Sequence, residues 1–121
     1  MQYMLLIYGD MSSAPQMTEA EQAAEMQRWY DYSAWLQEQG WMKAGDALQP
    51  VEQATSVRVR DGERMVTDGP FAETKETLGG YYLLEVDNVD DAIEAAGRCP
   101  AAPQGTIELR PVMALPEMPQ A

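Results

Sequence analysis

The sequence predicts one α+β domain of the ferredoxin-like type, with the order βαββαβ, an extra hairpin strand and an antiparallel sheet. Two apolar runs, residues 3–8 and 79–86, have the composition of strands that are buried on both faces. Two other segments have helix caps and helical spacing of apolar residues. Strands and helices alternate as two βαβ-like halves, the split-βαβ pattern. We assign residues 1–113 to this domain and residues 114–121, which contain two prolines, to a tail that is mobile or packed on a partner subunit.

The first half begins with the strand at residues 3–8, which ends at Gly9-Asp10. Thr18 and Glu21 then form a capping-box pattern, which predicts a helix of about 20 residues that ends near Gly40. The predicted apolar stripe of this helix contains Ala23, Met26, Tyr30, Ala34 and either Leu36 or Gln37. The tryptophans Trp29 and Trp35 lie beside that stripe, so we expect a wide apolar face that packs in the core or in an interface.

Residues 41–50 are interpreted as a turn-rich link with at most a short extended piece. A hairpin follows, because apolar and polar residues alternate over 55–60 and Asp61-Gly62 is a strong two-residue turn signal. One face of the hairpin carries valines and the other carries arginines, which predicts a half-exposed hairpin at one edge of the sheet.

The second half repeats the order of the first. The strand at 79–86 leads to Asn88, which is predicted to cap a second helix that ends before Pro100. The last strand covers residues 106–112, and Pro111 places it at the other edge of the sheet. The two apolar strands are therefore expected at the centre.

This arrangement predicts an oligomer. Two helices can cover only one face of the sheet, yet residues 3–8 are apolar on both faces. The simplest cover for the second face is the same face of another copy, so we expect a homodimer through the sheet face, with room for a ligand pocket between the sheets.

Composition limits the possible functions. Twenty acidic and eight basic residues give a net charge of −12, which opposes binding to nucleic acid. We also expect no membrane span and no signal peptide. The single cysteine, Cys99, indicates a reducing cytoplasm, and its position at a helix C-terminus indicates an unreactive thiol. An acidic patch for a basic protein partner is the minority interpretation of the charge.

The chain has no histidine. It therefore lacks the usual general base near neutral pH and, with one cysteine, the ordinary ligands of a zinc site. No calcium-loop spacing or dinucleotide-binding pattern is present either, so we predict no metal and no cofactor. The twenty acidic residues leave a carboxylate site for magnesium or calcium as the alternative.

The segment 66–82, VTDGPFAETKETLGGYY, has two interpretations. In the structural one, Asp68-Gly69-Pro70 makes a turn, Phe71 inserts into the core, and Gly79-Gly80 permits a bulge or close packing just before a central strand. No residue of the segment is then catalytic.

In the functional interpretation the segment forms a small-molecule site at one end of the sheet, suited to proton transfer on a small carbonyl compound. Asp68 and Lys75 are the catalytic candidates. The candidate substrate-binding residues are Tyr8, Asp10, Phe71, Glu73, Gly79 and Gly80. The run Glu73, Lys75, Glu76 also fits a solvated charge cluster. Asp46 is a possible second acid, although Gly45-Asp46 also reads as an ordinary turn.

Four segments together resemble the DGPF subgroup of the YCII-related proteins: MLLIYGD (4–10), VRVRDGERMVTDGPFAETKETLGGYYLLEV (57–86), DDAIEAAGRCP (90–100) and ELRPV (108–112). The resemblance extends over about residues 1–113. It implies a ferredoxin-like dimeric α+β barrel. The wider family is suspected of enzymatic activity because of a His–Asp pair in a pocket; here the histidine is missing, and Asp68 is the candidate for the aspartate.

Members of that subgroup are often labelled as sigma-factor-associated proteins, a role that the acidity and the lack of a DNA-reading helix do not favour. Three hypotheses follow from the sequence. The protein is a homodimer that binds or converts a small molecule near the DGPF segment, or an acidic protein-interaction module without catalysis, or a domain that has lost an ancestral activity together with its histidine.

Overall fold

The computed structural model describes residues 1–10 and 17–117, and it has the predicted α+β architecture with two helices and antiparallel sheets. The strands are β1 (Gln2–Gly9), β2 (Met42–Ala47), β3 (Thr55–Arg60), β4 (Glu63–Asp68), β5 (Thr77–Glu85) and β6 (Thr106–Pro111). The helices are α1 (Glu19–Glu38) and α2 (Val89–Arg98), and a single turn of 3-10 helix covers Val51–Gln53. Residues 112–117 continue without regular structure, and the last part of the predicted tail, 118–121, lies outside the described residues.

Four strands form the main sheet in the order β2-β5-β1-β6, and all neighbours are antiparallel. This is the ferredoxin-like order, with the two apolar strands β1 and β5 at the centre as predicted. Pro111 lies on β6 at one edge, where a missing backbone N–H costs no hydrogen bond within the sheet.

The sequence predicted the hairpin at the other edge of the main sheet, and this prediction was wrong. The edge strand is β2, from the segment interpreted as a link, and the hairpin forms a separate two-stranded sheet of β3 and β4. A polar, glycine-containing segment can be an edge strand because one of its sides faces solvent. Gly45 is needed there, since a Cβ at this position would lie 2.7 Å from Cδ1 of Tyr82 on β5.

The β3–β4 hairpin, residues 55–68, is called the hairpin arm below. Asp61 and Gly62 both have positive φ, 52° and 78°, as a two-residue type I′ turn requires. Val57 pairs with Val66, and Val59 pairs with Arg64. Paired residues point to the same side of a hairpin. One face, which we call the valine face, therefore consists of Thr55, Val57, Val59, Arg64, Val66 and Asp68. The prediction of a half-exposed hairpin was wrong, because every residue of the arm except Ser56 is exposed.

Helix α1 begins at the predicted capping box and is followed by Gly40 with a φ of 74°. Its buried residues are Tyr32 and Leu36, and Trp29 and Trp35 pack beside them. The predicted stripe is partly wrong, because Met26 and Tyr30 point to solvent. The aromatic residues decide the orientation, since burial of the large indole and phenol rings removes more apolar surface from water than burial of alanines.

The core lies between the helices and one face of the main sheet. Tyr3 and Leu5 of β1 meet Tyr82 and Leu84 of β5 there. Asn88 caps α2 as predicted, through a hydrogen bond from the backbone N–H of Asp91 to its side chain. Cys99, directly after α2, is buried in the same core.

The other face of the main sheet, called the open sheet face, has no helix over it in the part of the chain that the structure describes. The alternation of β1 and β5 places on it the apolar or aromatic residues Met4, Leu6, Tyr8, Tyr81 and Leu83. Acidic residues surround this patch: Asp46 on β2, Glu85 on β5 and Glu108 on β6. No helix among residues 1–10 and 17–117 is long and apolar enough to cross a membrane.

Candidate functional site

The DGPF segment closes the base of the hairpin arm. The backbone N–H of Gly69 donates to the carbonyl oxygen of Ala54 at 2.6 Å, and the Ser56 hydroxyl donates to the carbonyl oxygen of Gly69 at 2.8 Å. Gly69 has a φ of 102°, a conformation that side chains other than glycine's rarely adopt. The chain therefore bends at Gly69 and closes the arm there through these two hydrogen bonds.

Phe71 does not insert into the core, as the structural interpretation expected. Its side chain is 78% exposed and forms one wall of a shallow depression against the arm. The depression is lined by Ser56, Arg58, Met65, Thr67, Pro70 and Phe71. The other walls come from the arm face opposite the valine face, which brings a guanidinium, two hydroxyls and a thioether beside an aromatic ring.

Arg58 is the only charged residue among those that line the depression. One of its nitrogens, Nη2, lies 3.5 Å from the carbonyl oxygen of Phe71, which orients the guanidinium toward the depression. Within residues 1–10 and 17–117, Arg58 forms no ion pair with a carboxylate. In a chain of net charge −12, an arginine without an acidic partner has donors available for an external anion.

The two catalytic candidates lie outside this depression. Asp68 is exposed at the end of β4 and pairs in register with Thr55, on the valine face. Lys75 and Glu73 are exposed in the connection to β5. Of the candidates from the sequence, the structure places only Phe71 in the depression.

Four other candidates meet at one end of the main sheet. Tyr8 pairs with Leu78 and Ile7 pairs with Gly80, so that Gly79 is the extra residue of a β-bulge, as its glycine pair predicted. Asp10 follows the end of β1 and is partly buried. The neighbouring Glu76, rather than Glu73, contacts this end, where its Oε2 accepts a 2.8 Å hydrogen bond from Thr106.

Sequence reasoning missed a Tyr–Asp pair on the open sheet face. The Tyr81 hydroxyl donates to Oδ2 of Asp46 at 2.6 Å, and this hydrogen bond raises the pKa of the phenol. The two residues are cross-strand partners on β5 and β2. Gly45 and Gly80 flank them, and a Cβ on Gly80 would lie only 3.0 Å from the Asp46 carbonyl oxygen, so the close strand approach depends on glycine. The glycines at 45 and 80 were the available signal of a close approach between the two strands. Because Gly45-Asp46 was interpreted as a turn, the approach was not predicted.

The phenols on the helix side of the sheet hold the core together. Tyr32 donates to the Ala95 carbonyl oxygen at 2.6 Å, and the hydroxyls of Tyr82 and Ser33 lie 2.7 Å apart. Burial raises the pKa of both phenols and also that of the Cys99 thiol. These groups stay protonated near neutral pH, so they do not provide a base or a nucleophile. The described residues contain no cluster of three or more potential metal ligands from His, Cys, Asp and Glu.

Comparison with known proteins gives two concordant matches. The model of the YCII-related domain matches residues 1–116. A protein of Rhizobium meliloti (strain 1021), described only as uncharacterized, is 33% identical over 114 residues, which cover 93% of this chain and 92% of the relative. Because both matches extend over almost the whole length, the chain belongs to the YCII-related family.

Proposed function

We propose that this YCII-related protein is a cytoplasmic homodimer of the DGPF subgroup that binds a small anionic molecule in the depression between the hairpin arm and Phe71. The observation that carries the proposal is the position of Arg58. Its guanidinium stands in a depression beside an exposed aromatic ring, without an acidic partner among the described residues. The subgroup assignment is supported by the segment 66–82, and the cytoplasmic location by one buried, unpaired cysteine.

The lining indicates the class of ligand. A guanidinium binds a carboxylate through two parallel hydrogen bonds, and the Thr67 hydroxyl can add a further donor. Phe71 and Met65 offer an apolar surface for the rest of the molecule. A small carboxylate with an aromatic or apolar body therefore fits this chemistry best.

For a conversion of the bound molecule, Asp68 and Lys75 remain the proposed proton carriers. Both are exposed, and both belong to the segment that contains Phe71. Neither forms an ion pair within residues 1–10 and 17–117, so each is available to a substrate. Neither residue lines the depression itself.

The open sheet face supports the homodimer. Its apolar patch lies on the side of the sheet opposite both helices. Contiguous apolar surface of this kind marks an interaction site in a protein that is not embedded in lipid. A second copy of the same chain offers the same patch, and two-fold association would cover both patches at once.

The binding proposal is tested by titration of the protein with benzoate and phenylacetate, followed by NMR or calorimetry, with benzamide as the uncharged probe. We expect the carboxylates to bind and benzamide not to bind. Arg58→Met should weaken binding at least about tenfold, since a hydrogen bond to a charged group contributes roughly 1.5–3 kcal/mol. Arg60→Met is the matched control, because Arg60 shares the strand and the face but does not line the depression.

Equal weakening by Arg60→Met, or no carboxylate binding to the wild type, would contradict the proposal. Asp68→Asn and Lys75→Met should bind the probes as the wild type does and melt at or above its temperature. A loss of about 1 kcal/mol or more in either variant would assign that residue to the stability of the corner instead.

An acidic interaction module is the second candidate, and the charge distribution favours it. The hairpin arm has three arginines and three acidic residues, so the whole net charge of −12 lies on the rest of the chain. Such a surface attracts basic partners, and the attraction falls as salt rises. This candidate takes precedence if no carboxylate probe binds.

A further inference from the structure

We infer that the hairpin arm of one copy packs its valine face onto the open sheet face of a second copy, with Arg64 at the Asp46–Tyr81 pair. This inference rests on the proposed homodimer and adds a second contact to it: the arm covers the β2 side of the open sheet face, beside the part where the two sheets face each other. Three independent features support it: an exposed apolar face on the arm, a half-buried apolar sheet face with no helix over it among the described residues, and complementary hydrogen-bonding groups within both.

The valine face of the arm needs a cover. Val57, Val59 and Val66 are 59%, 58% and 60% exposed, although the pairing in the arm places them side by side on one face. A two-stranded hairpin that packs on nothing is at best marginally stable in water. The regular geometry of this arm therefore implies a surface outside the subunit that covers the valines.

The subunit's own sheet is poorly placed to provide that surface. The arm leaves the main sheet where β2 ends at Ala47, and the chain returns where β5 begins at Thr77. These two points lie at the same end of two adjacent antiparallel strands. The exposure of Val57, Val59 and Val66 shows that the subunit's own sheet does not cover them.

The dimensions agree with a cross-subunit contact. Each strand of the arm has six residues, which corresponds to roughly 20 Å of length. The outer strands of a four-stranded sheet are about 14 Å apart. One arm can thus extend over the β2–β5 half of the partner's open sheet face, where Ala44 and Leu83 face each other across the strands. Two-fold symmetry repeats the contact, so that the partner's arm lies on the open sheet face of the first copy.

Charge and hydrogen bonding indicate where the arm lies on the partner's open sheet face. Tyr81 already donates its only hydroxyl proton to Asp46, so the pair offers acceptors alone and requires a donor as its partner. Arg64 lies within the valine face, directly opposite Val59, and has no ion pair among the described residues. An arginine surrounded by apolar residues matches a carboxylate at the border of an apolar patch.

The test is a charge exchange measured by sedimentation equilibrium. Arg64→Glu alone and Asp46→Arg alone should each raise the dimer dissociation constant at least tenfold, because each places like charges at the contact. The combined variant Arg64→Glu/Asp46→Arg restores the pair with reversed charges and should recover most of the affinity. Arg60→Glu, on the arm face opposite the valines, should leave the dissociation constant unchanged.

Covalent trapping of the contact is a second measurement, and it does not require a dissociation constant. Protein with Arg64→Cys is mixed with protein with Asp46→Cys and a bis-maleimide cross-linker, and we expect a covalent link between the two different chains. A linker is needed because an arginine and its carboxylate partner are farther apart than the roughly 7 Å between Cα atoms that a disulfide allows. Cys99 is buried and serves as an internal check, since it should take no part.

The outcomes separate the two proposals. A wild type that stays monomeric at all concentrations overturns both the homodimer and the arm contact. A wild-type dimer that both single variants leave unchanged, with no cross-link between the two different chains, overturns the arm contact and retains the homodimer. Loss of dimer in both single variants without recovery in the combined variant also overturns the proposed pairing of Arg64 with Asp46.

Discussion

Tyr32 joins the two helices through a single buried hydrogen bond, from its hydroxyl to the carbonyl oxygen of Ala95. Its ring also meets Tyr82 edge-on, with the ring centroids 5.5 Å apart. Burial, followed by repulsion from Cys99 and Tyr82, raises the pKa of Tyr32 far above the ordinary value of 10.0. A phenol that ionises more easily in the unfolded chain makes stability depend on pH.

We expect the free energy of unfolding to fall as the pH rises above about 10, the ordinary pKa of the phenol. Above that value the unfolded chain binds fewer protons than the folded one, so alkali favours unfolding; below it this contribution is fully present. Tyr32→Phe should lose about 1 kcal/mol near neutral pH and should reduce the alkaline slope.

The measurement is urea unfolding at several pH values between about 7 and 11, followed by circular dichroism. Tyr30→Phe is the matched control, because Tyr30 belongs to the same helix and its side chain is 63% exposed. An alkaline slope that is the same in Tyr32→Phe and in the wild type would contradict the assignment.

At the scale of elements, helix α1 shows how a local signal specifies a boundary. The Thr18 hydroxyl accepts from the Glu21 N–H at 3.1 Å, and the Glu21 carboxylate accepts from the Thr18 N–H at 3.2 Å. Both bonds satisfy donors that a helix start leaves without partners. The bond from the Thr18 backbone also lowers the pKa of Glu21.

Thr18→Ala should therefore reduce the free energy of unfolding by about 1 kcal/mol. Glu21→Gln should cost less, because glutamine can still accept the bond from the Thr18 N–H and loses only the favourable charge near the helix start. Urea unfolding at neutral pH compares the two variants. A larger loss for Glu21→Gln than for Thr18→Ala would show that charge, rather than the hydroxyl cap, stabilises the helix start.

The elements differ in how well their sequence predicted them. Both helix caps, the Asp61-Gly62 turn and the bulge at Gly79 follow from local chemistry, and the structure confirms them. The edge strand β2 was missed because its residues are those of a turn. Only pairing with β5, with Gly45 against the Tyr82 ring, makes it a strand.

At the scale of the whole molecule, charge is distributed unevenly. The net charge of −12 lies outside the hairpin arm, and the arm itself is neutral. Few of the acidic residues are paired; the described part of the chain has three ion pairs, formed by Glu85, Glu25 and Glu94. Repulsion among the remaining acids opposes the compact state.

Salt should therefore stabilise the fold. Between about 20 and 300 mM NaCl at pH 8 we expect the melting temperature to rise by a few degrees, as screening shortens the range of repulsion to less than about 10 Å. The same comparison near pH 5, closer to the isoelectric point of about 4.1, should give a smaller rise. A melting temperature that falls with salt would mean that attractive ion pairs, such as those across a dimer interface, dominate.

The candidate site was predictable only in part. Phe71 was selected from its segment, and it forms a wall of the depression, but Asp68 and Lys75 lie outside it. Arg58, Thr67 and Met65 were invisible as site residues, because they come from both strands of the arm and meet Phe71 only through the corner at Gly69. Asp46 and Tyr81 are 35 residues apart, so their contact depends on strand register.

Composition and short-range pattern were enough to predict the α+β class, the central positions of β1 and β5, the helix caps and the overall charge, because each depends on residues close together in the chain or on composition alone. Tertiary structure decided which segment forms the sheet edge, which face of α1 is buried, and which polar groups meet. Those outcomes depend on contacts between distant segments, where packing area and strand register outweigh local preference.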